Sequence, residues 1–269
     1  MSRVALVTGG NKGIGLEIVK ALASTPGFKT VLLASRDASR GEAALALLRK
    51  QGYSNVTVVR LDLTDEGSWG ECAAAIEATH GHLDVLCNNA AICFNDPTLY
   101  GQVPHTPFAG QAEITVRTNF FGTLGVTRAL LPLLRASASP RVINIASYAG
   151  RLSILSKRSP ERAAAVSSPD VQLADLERLM AAFVDDVRGG GEPAAKGWPG
   201  TCYGMSKVGI IAMTRVFARE EPTIQFVRNA GSHVYAARWL CAGTDTIYVY
   251  CVLIRLLLLV IVIRAKCTA

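Results

Sequence analysis

Apolar and polar positions along this chain fall into two alternating patterns. Val4 to Val7, Thr30 to Ser35, Val56 to Leu61, Leu83 to Cys87 and Arg141 to Ala146 are short apolar runs with the length and β-branched content of buried strands. Between them run longer stretches in which apolar side chains recur every three or four positions, as Leu16, Ile18, Val19 and Leu22 do. These predict helices after the first run, over Arg40 to Gln51, over residues 66–80 and over residues 111–135, with Pro132 expected to end or kink the last. A strand buried on both faces reads as a near-continuous apolar run. Strands that alternate with helices at this pace predict a parallel, doubly wound α/β sheet. The C-terminal ends of its strands share one edge, where ligands bind.

That edge is where the polar residues of interest stand. Thr8-Gly9-Gly10-Asn11-Lys12-Gly13-Ile14-Gly15 joins the first strand to the first helix. Glycines there permit a tight turn and close backbone approach, and the helix N-terminus presents N–H groups to a pyrophosphate. The second strand runs directly into Arg36. At that strand end an acid would hydrogen-bond a ribose 2′-hydroxyl, whereas an arginine accommodates a 2′-phosphate. Asp37 comes one position late and Lys12 adds a cation nearby, so the balance favours NADPH over NADH. Asp62-Leu63 follow the third strand, Asn88-Asn89-Ala90-Ala91 the fourth and Ser147 the fifth. By itself, Ser147 reads as a helix or turn cap. Tyr203 and Lys207 are one helical turn apart on one face. The ammonium would favour the phenolate and bring a phenol pKa of about 10 toward the working range of an acid-base catalyst. The spacing alone is equally that of an ordinary amphipathic helix.

Composition narrows the class. The chain has 269 residues, half of them hydrophobic, enough for a sizeable core and incompatible with a disordered chain. Its net charge of +7 is spread without a Lys/Arg run, which fits an anionic small ligand or solubility rather than nucleic acid. Seven scattered cysteines form no C-x-x-C and no spacing that suggests zinc, as expected in a reducing compartment with no metal site. The first strand begins too early for a signal peptide, so a cytoplasmic location is the default.

Taken in order, Thr8-Gly9-x-x-x-Gly13-x-Gly15, Asn88-Asn89-Ala90, Asn119, Ser147 and Tyr203-x-x-x-Lys207 resemble the short-chain dehydrogenase/reductase family over residues 3–222. Ser147 stands more than fifty residues before Tyr203, where that family usually has little more than a dozen. The extra segment, about 152–198, carries a helical pattern in Leu173, Leu176, Leu179, Met180, Phe183 and Val184 and ends in Gly197-Trp198-Pro199. With the Thr118 to Thr123 stretch and Arg36, it is similar to the carbonyl reductase subgroup. The resemblance implies a single Rossmann-like domain, here residues 1–228, with a helical insertion before the catalytic helix. It implies NADP(H) as cofactor, a small carbonyl substrate and a monomer, because the inserted helices cover a surface other members use to oligomerise. Tyr203 would give a proton to the substrate oxygen, Lys207 would tune Tyr203 and bind the nicotinamide ribose, and Ser147 would hydrogen-bond that oxygen. Asn119 would hold a water linking Lys207 to solvent. Gly9, Asn11, Lys12, Gly13, Ile14 and Gly15 would contact the phosphates and ribose, Arg36 the 2′-phosphate, and Asp62, Leu63 and Asn89 the adenine side, with Ala90 also binding the cofactor.

The likeness has two breaks. Ala91 stands where the family usually has glycine. From about residue 223 the Pro-Gly turn that holds the nicotinamide carboxamide is missing, although Thr223 to Val227 still reads as a strand. Residues 229–269 form a divergent tail, in which Ile247 to Ile263 is apolar except for Arg255. That run is 17 residues, short of the about 20 of a membrane helix, and reads as a tail anchor or as a buried strand at the sheet edge. The abrupt change favours an altered reading frame, a retained intron or a faulty gene structure. Translating the other frames past the codon for Glu221 and finding no Pro-Gly segment would count against that. Beside carbonyl reduction, the residues leave open an NADP-binding protein with impaired catalysis and a membrane-tethered reductase.

Overall fold

The computed structural model describes residues 2–95, 105–190 and 192–228, and the backbone of 229–230 and 233–236. Six strands are parallel neighbours in one sheet: β1 (Arg3–Thr8), β2 (Phe28–Ser35), β3 (Val56–Arg60), β4 (Val85–Asn88), β5 (Arg141–Ile145) and β6 (Gln225–Ala230). The order is β3-β2-β1-β4-β5-β6-β7, so it reverses direction between β1 and β4, opening a crevice at the C-terminal strand ends. The seventh strand, β7 (His233–Ala236), departs from the expected parallel sheet by returning antiparallel to β6. Only two residues separate them, too few for the crossover that a parallel partner requires.

Alternate residues of each strand serve two cores. Val7, Val31, Leu33 and Cys87 point to α1 (Gly13–Ala23) and α2 (Ala38–Lys50), meeting Ile18, Val19, Leu45 and Leu48. Leu6, Leu32, Leu86 and Val142 belong to the opposite core, with α3 (Glu66–His80), α4 (Phe108–Val116), α5 (Thr123–Arg135) and α9 (Cys202–Glu220). Burial on both faces explains why the strands read as unbroken apolar runs.

The long helix expected over 111–135 begins earlier and changes winding. Between α4 and α5 the turn Arg117–Gly122 is π-helical. Pro132 does not end the helix at its own position: it lies inside α5, which runs on to Arg135. The change of winding falls around Asn119, and π-turns of this kind are frequent at functional sites.

The insertion is helical, comprising α6 (Ser153–Ser156), α7 (Pro160–Ser167) and α8 (Leu173–Arg188). Helix α8 buries Leu176, Met180, Phe183 and Val187 and packs against α4 and α9. Trp198, fully buried, sets its ring edge-on to Phe183 at 5.4 Å between centroids and donates from Nε1 to Asp186 at 2.8 Å. The insertion is thereby fastened just ahead of α9. Among the described residues no helix is long and apolar enough to cross a membrane. The run 247–263 lies outside the described residues.

Candidate active site

Helix α9 begins at Thr201, whose hydroxyl accepts from the Gly204 N–H at 2.9 Å. This cap fixes the turn carrying Tyr203, which is half-buried. One turn on, Lys207 is 3% exposed, and its Nζ donates to the Ile145 carbonyl at the end of β5 at 2.6 Å. The ammonium lies 5.6 Å from the centroid of the Tyr203 ring. Burial pushes Lys207 down to about 8, with Cys93 nearby acting in the opposite direction. A cation held this way is easily neutralised and acts strongly on its neighbour, because little solvent screens it.

Ser147 follows β5 directly, and its Oγ accepts from the Ala149 N–H at 3.1 Å. The turn-cap reading of the serine is therefore correct, and the cap also fixes Ser147 at the strand end. The capped turn, Tyr148–Gly150, lies against α9: a Cβ on Gly150 would fall 2.6 Å from the Lys207 carbonyl carbon. Asn119, in the π-turn, accepts from the Ile92 N–H at 2.8 Å and donates to the Ile92 carbonyl at 2.9 Å and to Ser206 Oγ at 3.0 Å. Ser206 donates in turn to the Tyr203 carbonyl at 2.8 Å. The Asn119 amide thus ties the chain leaving β4 to the helix of Tyr203 and Lys207.

The glycine loop is shaped by close approach. Gly9 and Gly13 have φ of +64° and +54°, which L side chains rarely adopt. A Cβ on Gly15 would overlap the Gly9 carbonyl oxygen, whereas one on Gly13 would meet nothing within 4 Å. Lys12, preceding α1, makes no side-chain cap, so no side chain there covers the N–H groups of the first turn. Ile14 is 58% exposed beside them, and Asn11 is half-buried. Asn89 donates from its amide to the Thr8 carbonyl at 3.0 Å, and Thr8 Oγ1 accepts from the Asn89 and Ala90 N–H groups at 3.0 Å each. Loop and β4 end are therefore one unit, with Ala91 exposed beyond it.

Arg36 is exposed at the end of β2, and Asp37 caps α2 by accepting from the Arg40 N–H at 3.0 Å. The one acid beside Arg36 is thus engaged in helix capping. Asp62 accepts from the Thr64 N–H and hydroxyl at 2.9 and 2.8 Å, and Leu63 is buried against Gly122. An open glycine cradle, a helix start without a side-chain cap and an exposed arginine at the next strand end are the donors a dinucleotide with a 2′-phosphate requires. No cluster of three or more His, Cys, Asp or Glu suited to a metal ion occurs among the described residues. The four described cysteines, Cys72, Cys87, Cys93 and Cys202, are free thiols.

Known proteins place the chain in a family. The sequence profile of the family described as short chain dehydrogenase matches residues 3–158. The chain belongs to that family. This short-chain dehydrogenase is 40% identical over 219 residues to the human protein named carbonyl reductase (NADPH) 1, covering 81% of the chain and 74% of the relative. Salutaridine reductase from Papaver somniferum superposes with a TM-score of 0.74 at 30% identity, over 83% of this chain and 84% of that one. Menthone neomenthol reductase from Mentha piperita gives 0.73 at 31% identity, over 84% and 88%.

Several residues of the short-chain dehydrogenase site escape a linear reading. Asn88 donates to Thr127 Oγ1 at 3.0 Å and to Asn144 Oδ1 at 2.8 Å, and Asn144 donates to Thr214 Oγ1 at 2.9 Å. This buried chain joins β4, β5, α5 and α9 beneath the site. Asn144, a lone amide inside the apolar run RVINIA, was its visible signal. Ser206 acts through its hydroxyl, and Ile92 and Gly150 through their backbones, in contacts that no spacing announces.

Proposed function

We propose that this protein reduces aldehydes, ketones or quinones to alcohols or hydroquinones, using NADPH. The observation that carries the reading is Lys207, buried at the end of β5 one turn from Tyr203, with Ser147 held at the same strand end. The name of the human relative supports both the carbonyl substrate and the cofactor. Bound NADPH supplies hydride. Tyr203 gives its hydroxyl proton to the carbonyl oxygen, and Ser147 donates a hydrogen bond to that oxygen as charge develops on it. Lys207 keeps the tyrosine acidic by favouring its phenolate, and it holds the nicotinamide ribose. Asn119 keeps the floor of the site in register and holds the water that connects Lys207 to solvent.

For the cofactor, Gly9, Asn11, Lys12, Gly13, Ile14 and Gly15 take the phosphates and ribose and Arg36 the 2′-phosphate. Asp62, Leu63 and Asn89 take the adenine side, and Ala90 also binds the cofactor. The reading assigns residues 1–228 to the reductase domain and 229–269 to a divergent tail. Because α8 covers faces of α4 and α9, the protein is read as a monomer; the cytoplasmic reading rests on the sequence alone. The test is NADPH consumption by the full chain with a reactive quinone near neutral pH, with Tyr203→Phe as control. Turnover that the control abolishes supports the proposal. NADPH binding without turnover would leave a nucleotide-binding protein.

A further inference from the structure

Behind Ser147 a cavity of about 520 Å³ opens between the turn after β5, the C-terminal end of α7, the outer face of α9 and β6. That is the size of a small-molecule site. Its walls are apolar at Leu152 and Ile211, yet three arginines line it, Arg151, Arg215 and Arg228, and none of its described lining residues is acidic. The first two guanidiniums are held by neutral partners. Arg215 donates to the Ser167 carbonyl at 2.8 Å, with the Val166 and Ser168 carbonyls at 3.5 and 3.4 Å. Arg151 lies 4.6 Å from the centroid of the Tyr148 ring and 3.4 Å from the Tyr148 carbonyl. Carbonyls and a ring fix a guanidinium in place without cancelling its charge. Tyr148 is itself 66% exposed, leaving an aromatic face at the rim.

We propose that this cavity is the outer part of the substrate site and selects carbonyl compounds that carry an anionic group, a carboxylate or sulfonate, on an apolar body. The inference rests on the proposed reductase reading, since it places the reacting oxygen at Ser147 and the anion between Arg151 and Arg215, whose described partners are neutral. The apolar body lies along Leu152 and Ile211, and Tyr148 stacks on it from outside. Planar, fixed guanidiniums suit carboxylate and sulfonate oxygens better than a mobile ammonium would. The anion is a spectator in the reaction: NADPH and one proton convert a quinone to the hydroquinone, leaving NADP+, whether or not the ring bears a sulfonate.

The test compares a naphthoquinone sulfonate with the parent naphthoquinone, and separately measures binding of naphthalene sulfonate, which cannot be reduced, by calorimetry of the full chain. The expected result is a kcat/KM for the sulfonate about tenfold above that of the parent, with binding that weakens as salt is raised. In Arg151→Gln the kcat/KM ratio falls toward one and naphthalene sulfonate binding is lost in proportion. Because Arg215 also fastens α7, Arg215→Lys serves beside it as the milder change of the second cation. Equal kcat/KM for the two quinones, or a preference that survives in Arg151→Gln, overturns the inference while leaving the reductase reading intact. If neither quinone is reduced, the reductase reading fails. The calorimetry then decides for the anion site alone, and absence of salt-sensitive binding overturns it.

Discussion

The two halves of the site are built on opposite principles. On the side proposed for the phosphates, the β1–α1 loop and the end of β2, the groups presented are backbone N–H groups, glycines and exposed side chains such as Ile14 and Arg36. On the side proposed for hydride transfer the groups are half-buried or buried side chains held in place: Lys207 by Ile145 and Asn119 by Ile92 and Ser206 from other elements, and Ser147 by Ala149 in the turn it caps. The first half needs shape, which eight consecutive residues supply. The second needs a desolvated cation, which only the packing of β5 and the π-turn around α9 can supply. Damage should therefore act differently in each half: steric and on binding in one, electrostatic and on rate in the other.

The largest effect should come from Tyr203→Phe, which removes the proposed proton donor. Turnover should fall about a thousandfold while NADPH binding, followed by fluorescence titration, is retained. Loss of binding together with rate would erase the contrast between the halves.

Lys207 provides the next test. Its pKa is pushed down to about 8 in the folded protein, against 10.5 ordinarily, so the unfolded chain holds its proton over that interval when the folded one does not. Stability should therefore rise with pH between about 8 and 10.5, by on the order of 3 kcal/mol, and the cost of burying the cation is fully present below pH 8. Urea unfolding across that range should show the rise in the native chain and lose it in Lys207→Met. In the same window kcat/KM should decline through about pH 8, as the ammonium beside Tyr203 is neutralised.

Gly15→Ala attacks the phosphate side sterically. The new methyl overlaps the Gly9 carbonyl and crowds the Asn89 amide, so thermal unfolding should register a loss of about 2 kcal/mol and NADPH affinity should drop with it. The smallest change is expected for Arg36→Ala: KM for NADPH should rise about tenfold, with KM for NADH unmoved, as measured in parallel assays.

The same contrast explains what was legible in the chain. Strand runs and the glycine loop are local patterns, and β1 to β6 and α1 to α3 lie within a few residues of where periodicity puts them. Tyr203, Lys207, Asn119 and Ser147 were readable as a constellation through family resemblance, and the fold brings their segments together. What holds them was not readable. The Ile145 carbonyl under Lys207, the Asn119 clamp on Ile92 and the Asn88–Asn144–Thr214 chain depend on partners many residues away. Pro132 marks the last turn of α5, which runs three residues past it, while the change of winding at Arg117–Gly122 has no proline or glycine before its last residue and could not be read from the sequence. The antiparallel β7 depends on a two-residue connection that hydrophobic patterning does not mark.

The most direct test of the central claim, that both halves work together in this chain, is a single-turnover reaction. The full chain is loaded with NADPH, mixed with excess quinone, and the nicotinamide absorbance is followed in a stopped-flow instrument. The account predicts decay of the bound NADPH signal with an amplitude matching the bound fraction, and none on the same timescale in Tyr203→Phe. A native chain that binds NADPH and shows no decay would contradict it, leaving a phosphate side that works and a hydride side that does not.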